Sequence, residues 1–321
     1  MPTEDKIISF LQKNFIAQNG IGDDAAILPK EKNKFYVISK DLLVEDVHFR
    51  CNYCSPQNLA HKTLAVNLSD IAAMGAKAKY VFLGISLAKK NLNYGKAFLR
   101  HFVKTCKKNN VFLLGGDTTK STDKIVLSVT IIGVVEKNNI KKRSGAHAGD
   151  IICVAGNLGS AHIGFTALEN NFPGLSKYKN IFLRPHAKQQ EGIFLGKQKS
   201  VTAMMDLSDG LSTDLTRLAI ASKKSAIINI DNITISKNFA AACSNLNLDP
   251  QKTILSGGED YSLLFTVQKN NYEKLAANFK RNFGYELQCI GKITEKRKTA
   301  LLYKKNGVLF YPKLNSFAHF A

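Results

Sequence analysis

Short apolar runs rich in β-branched and aromatic residues alternate with helix-periodic segments along almost all of this 321-residue chain, and that alternation limits the fold more than any other feature. Apolar residues at period 2 make half-buried strands, and period 3.6 makes amphipathic helices. Strands are expected at KFYVISKD, KAKYVFLGISLA, VFLLGG and KIVLSVTIIGVV. Helices are expected over 4–17, 56–74 and 92–109, the second opened by Pro56 after Ser55. The polar stretch EKNNIKKRSGAHAGD then breaks the pattern and sets a domain boundary near residue 140. Beyond it, DIICVAG, VTAMMD, SAIINI, YSLLFTV, YELQCIGKI and TALLYKK read as strands. Helices are expected after Gly159, near 187–199, over 210–222, near 236–246 and near 271–282. The order predicts two domains, 1–140 and 141–321, of α+β or α/β class, with the topology open.

The chain starts MPTEDKIISFLQKNF, with acids before its first base and Ile7, Ile8, Leu11 and Phe15 on one helical face. That is not the basic-then-apolar order of a secretory signal. No run approaches the roughly 20 apolar residues of a spanning helix, so a soluble, cytoplasmic protein without a membrane partner is expected. The six cysteines are expected as thiols, and Cys51 with Cys54, the one C-x-x-C pair, has no second pair at zinc spacing. The formal charge is +20, but the lysines are scattered beside asparagines and form no stripe interleaved with aromatics. Solvated surface is favoured over a specific nucleic-acid interface, and such a field also attracts phosphate-rich small molecules.

The acids in this basic chain are more informative. GIGDDAAIL holds Asp23 and Asp24 between glycines and small apolar residues with no base beside them. Asp41 closes YVISKD, Asp117 closes VFLLGGD, and Asp206 closes VTAMMD with Asp209 three residues on. In helix-covered sheets ligands gather beyond the carboxyl ends of strands, where these acids are expected. Helix N-capping is an equal alternative for Asp209. Asp70 lies within LAVNLSDIAAMGA, a helix-like run with Asn67, Asp70 and Met74 on one side and Leu64, Leu68 and Ile71 on another. That side is either a solvent-facing stripe or a metal ligand on a tightly packed helix.

Carboxylates gathered in one cleft repel each other, and a hard divalent cation with oxygen ligands offsets the repulsion. No His or Cys joins them at zinc spacing, which favours magnesium. Magnesium takes one or two carboxylates together with substrate phosphates, so five or six acids imply several ions and a polyphosphate such as ATP. The chain holds no G-x-x-x-x-G-K-[ST] and no H-R-D loop. GIGDDA fits a loose dinucleotide fingerprint, but a helix-like segment precedes it and its two carboxylates would face the pyrophosphate.

GIGDDAAIL, SKDLLVEDVHF, HKTLAVNLSDIAAMGA, LLGGDTT, RSGAHAGD, VAGNLGSAHIG, RPHAK, MDLSDGLSTDL and LSGGEDYSLLFTV, in this order, resemble the thiamine-monophosphate kinase family. That family belongs to the superfamily of aminoimidazole ribonucleotide synthetase. The resemblance implies an N-terminal α+β domain whose strands build a barrel shared across a homodimer, and a C-terminal α/β domain closing over the cleft. It implies ATP- and Mg2+-dependent transfer of the γ-phosphoryl group onto thiamine monophosphate, and leaves a need for K+ open. Another ATP-dependent chemistry of the superfamily, activation of an amide or carboxylate oxygen, is the alternative.

By the same resemblance Asp24, Ser39, Asp41, Asp70, Asp117, Asp206 and Asp209 match metal ligands. Lys40, also matched to a metal-ligand position, stands where the family usually has threonine: a side-chain oxygen ligand is lost there, whereas a backbone carbonyl ligand survives. Gly116, Asp117, Arg143 and Ser208 match positions at ATP, and His48, Glu259 and Phe317 match positions at the thiamine phosphate. Asp46 replaces the usual glycine of VEGVHF.

Overall fold

The computed structural model describes Lys6 and residues 23–314. The helix expected over 4–17, and Phe317, lie outside the described residues.

Strands β1 (Ala26–Lys30), β2 (Lys34–Val44), β3 (Lys77–Leu87), β4 (Phe112–Lys120) and β5 (Val126–Glu136) form one sheet in the order β1-β2-β5-β3-β4. Among the described residues, helices α1 (Pro56–Ala73) and α2 (Leu92–Lys108) belong to this half of the chain. Only β3 and β4 run parallel here, because α2 connects them as a crossover; the other pairs are antiparallel.

The second sheet contains β6 (Ile151–Ala155), β7 (Val201–Asp206), β8 (Ser225–Asn229), β9 (Leu263–Val267), β10 (Gln288–Thr294), β11 (Leu301–Lys305) and β12 (Val308–Phe310). Its order is β12-β11-β8-β10-β6-β9-β7. Helices α3 (Ser160–Glu169), α4 (Ser176–Leu183), α5 (Gln189–Gly196), α6 (Leu211–Ala221), α7 (Lys237–Asn245), α8 (Pro250–Ser256) and α9 (Tyr272–Phe283) accompany it. Each sheet has its own apolar core, around Val81, Leu127 and Phe102 in the first and around Ile152, Leu215 and Ile228 in the second.

Helix α1 joins the two cores. Ser55 caps it by accepting from the Asn58 amide, and Pro56 occupies its first turn, where a missing N–H costs nothing. Its apolar residues point in every direction: Leu59, Leu64 and Ile71 pack in the first core, while Ala72 and Ala73 join a cluster with Cys153, Leu195 and Phe265 from the second half of the chain. Asn67 and Met74 are fully buried, so the solvent-facing stripe considered for this side does not exist. Close packing requires small neighbours. A Cβ on Gly133 of β5 would meet Ile71 at 2.6 Å, and one on Gly192 of α5 would meet the carbonyl oxygen of Ala72 at 2.3 Å. Past the helix, Gly75 turns the chain at a φ of 71° that a side chain would strain.

The structure corrects the expected strand ends. Strand β2 continues past Asp41 to Val44, and β4 continues past Asp117 to Lys120, because their ladders persist: Asp41 faces Val129 and Asp117 faces Gly84. Asp206 does end its strand. Strands β1 and β12 and helices α4 and α8 add to the expected elements.

Gly192→Ala drives a methyl group into the backbone of α1, and overpacking of this kind costs about 1–3 kcal/mol. Thermal unfolding should show a lower Tm; an unchanged Tm would mean that α1 does not need this close approach.

Candidate active site

A cavity of about 850 Å³ lies where α1 meets both sheets. Asp41, Asp70, Asp206, Ser208 and Asp209 line one part of it, and His48, Lys62, Phe182 and Glu259 another. Each acid arrives on a different element. Asp24 precedes β1, Asp41 lies within β2, Asp70 projects from the last turn of α1, and Asp206 ends β7. Oxygens of Asp24, Asp70 and Asp206 all fall within 4.8 Å of one another.

The neighbours of these acids show how the charge is managed. The Arg143 guanidinium grips both oxygens of Asp24, with Nη2 at 2.9 Å and Nε at 3.3 Å, and the Arg143 amide donates to Asp23 at 2.9 Å. The base missing beside the acid pair in sequence therefore comes from the segment between the sheets. Ser39 Oγ donates to Asp70, and Ser69 Oγ donates to Asp206 at 2.7 Å. Arg217 bonds Asp209 and lies 3.4 Å from Asp214, a fully buried acid whose carboxylate accepts from the Asp209 amide at 3.1 Å.

These partners do not offset burial. Asp70 and Asp206 sit well above the usual carboxylate range, first because of burial and then because of neighbouring acids: Asp41, Asp206 and Asp24 for Asp70, and Asp24 for Asp206. Burial pushes Asp41 up to about 6. Burial and then the charge of Asp209 push Asp214 up to about 8. A buried set of carboxylate and hydroxyl oxygens, short of positive charge, is a donor set for a hard divalent cation.

The structure separates the remaining sequence candidates. Asp209 does not cap a helix: the N-cap of α6 is Gly210, which makes no side-chain cap bond. Lys40 points to the sheet face opposite Ser39 and Asp41 and donates to Ser128 at 2.7 Å, so its side chain is no ligand in this cluster. Asp46 adopts a left-handed φ of 69°, a conformation that favours glycine and that Asp tolerates, and it pairs with Lys124. Gly116 and Asp117 lie on the exposed strand β4. Asp117 is in register with Gly84, then Ser128, then Leu42, which puts it three strand spacings, about 14 Å, from β2. A Cβ on Gly116 would strike the carbonyl oxygen of Leu83 at 1.8 Å, so strand packing alone requires glycine there.

At the other end of the cavity His48 Nδ1 accepts from the Val44 amide at 3.1 Å. Glu259 adopts a φ of 62°, and its amide donates to the Ser208 carbonyl at 2.7 Å, which ties this wall to the acid cluster. Asp260 supports the same turn by accepting from the amides of Gly159 and Ala161 at the start of α3. Sequence reading missed Lys62, Phe182, Asp214 and Arg217. A lysine among the apolar positions of α1 and a further acid in SDGLSTDL were the available signals.

Two family models match the chain: AIR synthase related protein, N-terminal domain, over residues 22–135, and AIR synthase related protein, C-terminal domain, over residues 148–304. The fold and the site thus define a two-domain protein of the AIR synthase related class. Within that class the chain belongs to the thiamine-monophosphate kinase family. It is 37% identical to thiamine-monophosphate kinase of Buchnera aphidicola subsp. Schizaphis graminum over 99% of this chain and 98% of the relative. The Bacillus subtilis thiamine-monophosphate kinase is 31% identical, over 94% of this chain and 93% of its own. The solved structure described as AaThiL complexed with AMPPCP and TMP superposes with a TM-score of 0.84 at 27% identity, covering 99% of this chain and 97% of that one. Thiamine monophosphate kinase from Aquifex aeolicus gives 0.79 at 27% identity, covering 96% and 97%.

A carboxyl whose folded pKa exceeds its unfolded value, about 4, contributes stability at low pH that is lost as pH rises through the folded value. Metal-free protein should therefore lose stability between about pH 4 and pH 8, spanning Asp41 at about 6 and Asp214 at about 8. Added Mg2+ should restore stability most at the upper end. Asp70→Asn should reduce the loss of metal-free stability as pH rises, by removing one carboxyl that burial and its neighbours hold protonated, and should weaken the stabilisation by Mg2+. Scanning calorimetry across pH, with Mg2+ and with chelator, reads both; a metal-free Tm indifferent to pH would contradict the repulsion.

Proposed function

We propose that this protein transfers the γ-phosphoryl group of ATP to the phosphate of thiamine monophosphate, giving thiamine diphosphate and ADP. One observation carries the reading: a single cavity holds a carboxylate cluster at one part and an aromatic wall with an acid at another, in a chain of the thiamine-monophosphate kinase family. AMPPCP, an ATP analogue with a non-transferable phosphoryl group, and TMP occur together in the related solved structure, which supports both substrates.

Asp24, Asp70 and Asp206, with Ser39, Asp41 and Asp209 beside them, would hold Mg2+. Bound Mg2+ would neutralise the phosphates, whose repulsion opposes in-line approach. Arg143 is suited to grip phosphate through its planar fork once Asp24 turns to the metal, and Ser208 lies next to Asp209 at the same end. The acceptor phosphate is already an anion, so no general base is required, and positioning supplies the acceleration. Glu259 offers negative charge to the cationic thiazolium ring, with His48 and Phe317 assigned to the same substrate. The backbone carbonyl of Lys40 is the ligand assigned at that position. We assign the domain division to the segment near residue 140, with the cluster at the junction of the two domains. Among the described residues no helix is long and apolar enough to cross a membrane, and we assign the protein to the cytoplasm.

The active form in this proposal is a homodimer. Strand β4 exposes all nine residues, with Phe112 at 64% and Leu114 at 55%, on the open edge of its sheet. A second copy would cover this edge, building the shared barrel. Gly116 and Asp117, remote from the cluster of their own chain, are then assigned to the nucleotide and metal site of the partner.

An ADP-release assay with ATP, Mg2+ and thiamine monophosphate tests the reaction. Turnover with formation of thiamine diphosphate is expected, and its absence would overturn the reading. Replacing K+ by Na+ in that assay shows whether K+ is needed. Asp70→Asn should lower kcat at least about 100-fold, as loss of transition-state charge stabilisation does. Asp117→Asn should be comparably inactive. Reassembling the two variants together should restore about one quarter of wild-type activity, since half the dimers would contain one intact site of two. No recovery would place Asp117 in the site of its own chain.

A further inference from the structure

Lys62 is the most deeply buried cation at the cavity, with 1% of its side chain exposed. Its ammonium donates to Glu259 Oε2 at 2.7 Å and to the His48 carbonyl at 3.2 Å, and it stands 3.6 Å from the centre of the Phe182 ring. These partners come from three separate pieces of chain: the turn after β2, helix α4 and the loop before β9. Burial of an ammonium is tolerated only where such partners surround it, so each of them is held in turn by Lys62. Glu259 keeps 27% of its side chain exposed, which leaves it a face toward the cavity.

Lys62, Val66 and Asp70 follow one another at four-residue spacing on α1, and all three line the cavity. The helix therefore carries Asp70 of the acid cluster and the lysine on one face, with their backbones about 12 Å apart. Helix α1 is buried on all sides and cannot shift without disturbing both cores.

We propose that Lys62 is a positioning residue that fixes how far the acceptor's cationic ring lies from the phosphoryl-transfer end. It acts by pinning Glu259 to the helix that bears Asp70. This rests on the proposed function above. The pocket then takes an aromatic cation carrying a phosphate monoester on an arm of matched length. The lysine does not meet the reacting atoms, and Glu259 Oε2 and the Phe182 face offset part of its repulsion of that ring.

Lys62→Met should raise KM for thiamine monophosphate at least about tenfold and leave KM for ATP within about twofold, the pattern of lost acceptor binding. Lys62→Arg should recover part of the loss. Titration of thiamine monophosphate by calorimetry should show the same weakening without catalysis. Because Lys62 acts through Glu259, adding Lys62→Met to Glu259→Gln should raise KM no further. That double variant leaves no unpaired charge and replaces the single one as the decisive comparison if Lys62→Met does not fold. An unchanged acceptor KM in folded Lys62→Met, equal losses for both substrates, or a further rise in the double variant would overturn the proposal. Wild-type protein that fails to phosphorylate thiamine monophosphate would instead overturn the function.

Discussion

Mutual repulsion among buried carboxylates is the constraint on which the rest of this structure depends. Asp24, Asp70 and Asp206 bring oxygens within 4.8 Å of one another. Like charges about 4 Å apart repel by about 4 kcal/mol per pair at the effective dielectric of a protein surface. Asp24 and Asp70 belong to the first half of the chain and Asp206 to the second, so packing the halves together works against this repulsion. The opposing term is apolar contact along α1, where each fully buried leucine or isoleucine contributes about 1.5–3 kcal/mol. The close approaches at Gly133 and Gly192 are what let that helix reach both cores at once.

One helix consequently sets the geometry of the whole cavity. Its last turn offers Asp70 to the acids, and its first turns offer Lys62 to the opposite wall. The loop bearing Glu259 closes the circuit, since its amide bonds Ser208 beside the acids while its carboxylate meets Lys62. A non-glycine residue held at a φ of 62° is stable only where surroundings over-determine it, and here the Asp260 carboxylate on the start of α3 supplies a second anchor. Backbone strain, buried acid and buried lysine thus form one connected support for the walls of the site.

Much of this was legible in sequence, in a way that follows the range of each interaction. The strands and long helices were readable because their signals are local, and the end of β7 at Asp206 was correct because an apolar run stops there. The ends at Asp41 and Asp117 were not, since pairing with β5 and β3 prolongs those strands through polar residues. Helix α8 carried a readable start, Asp249 followed by Pro250, whereas α4 begins after Leu175 in a left-handed conformation without a capping side chain. The acids were found as a recurring pattern and by family motifs. Their partners were not: Arg143 lies 119 residues from Asp24, and Lys62 lies 197 from Glu259. Nothing local marks a pair of that separation, and only the fold brings them together.

The charge of the chain has the same two-level logic. The surplus of +20 sits on a surface where lysines are solvated, and it attracts polyphosphates from a distance. Inside the cavity the sign reverses, and a bare polyphosphate would meet the acid cluster unfavourably. In the proposed reaction the two signs would be reconciled by phosphates arriving with divalent ions, which would take over Asp24 from Arg143 and leave that guanidinium to phosphate. An arginine already seated on the acids keeps the cluster from being entirely uncompensated before that exchange. On the proposed function, the basic exterior and the acidic interior would form one arrangement that admits anions only in the company of a metal.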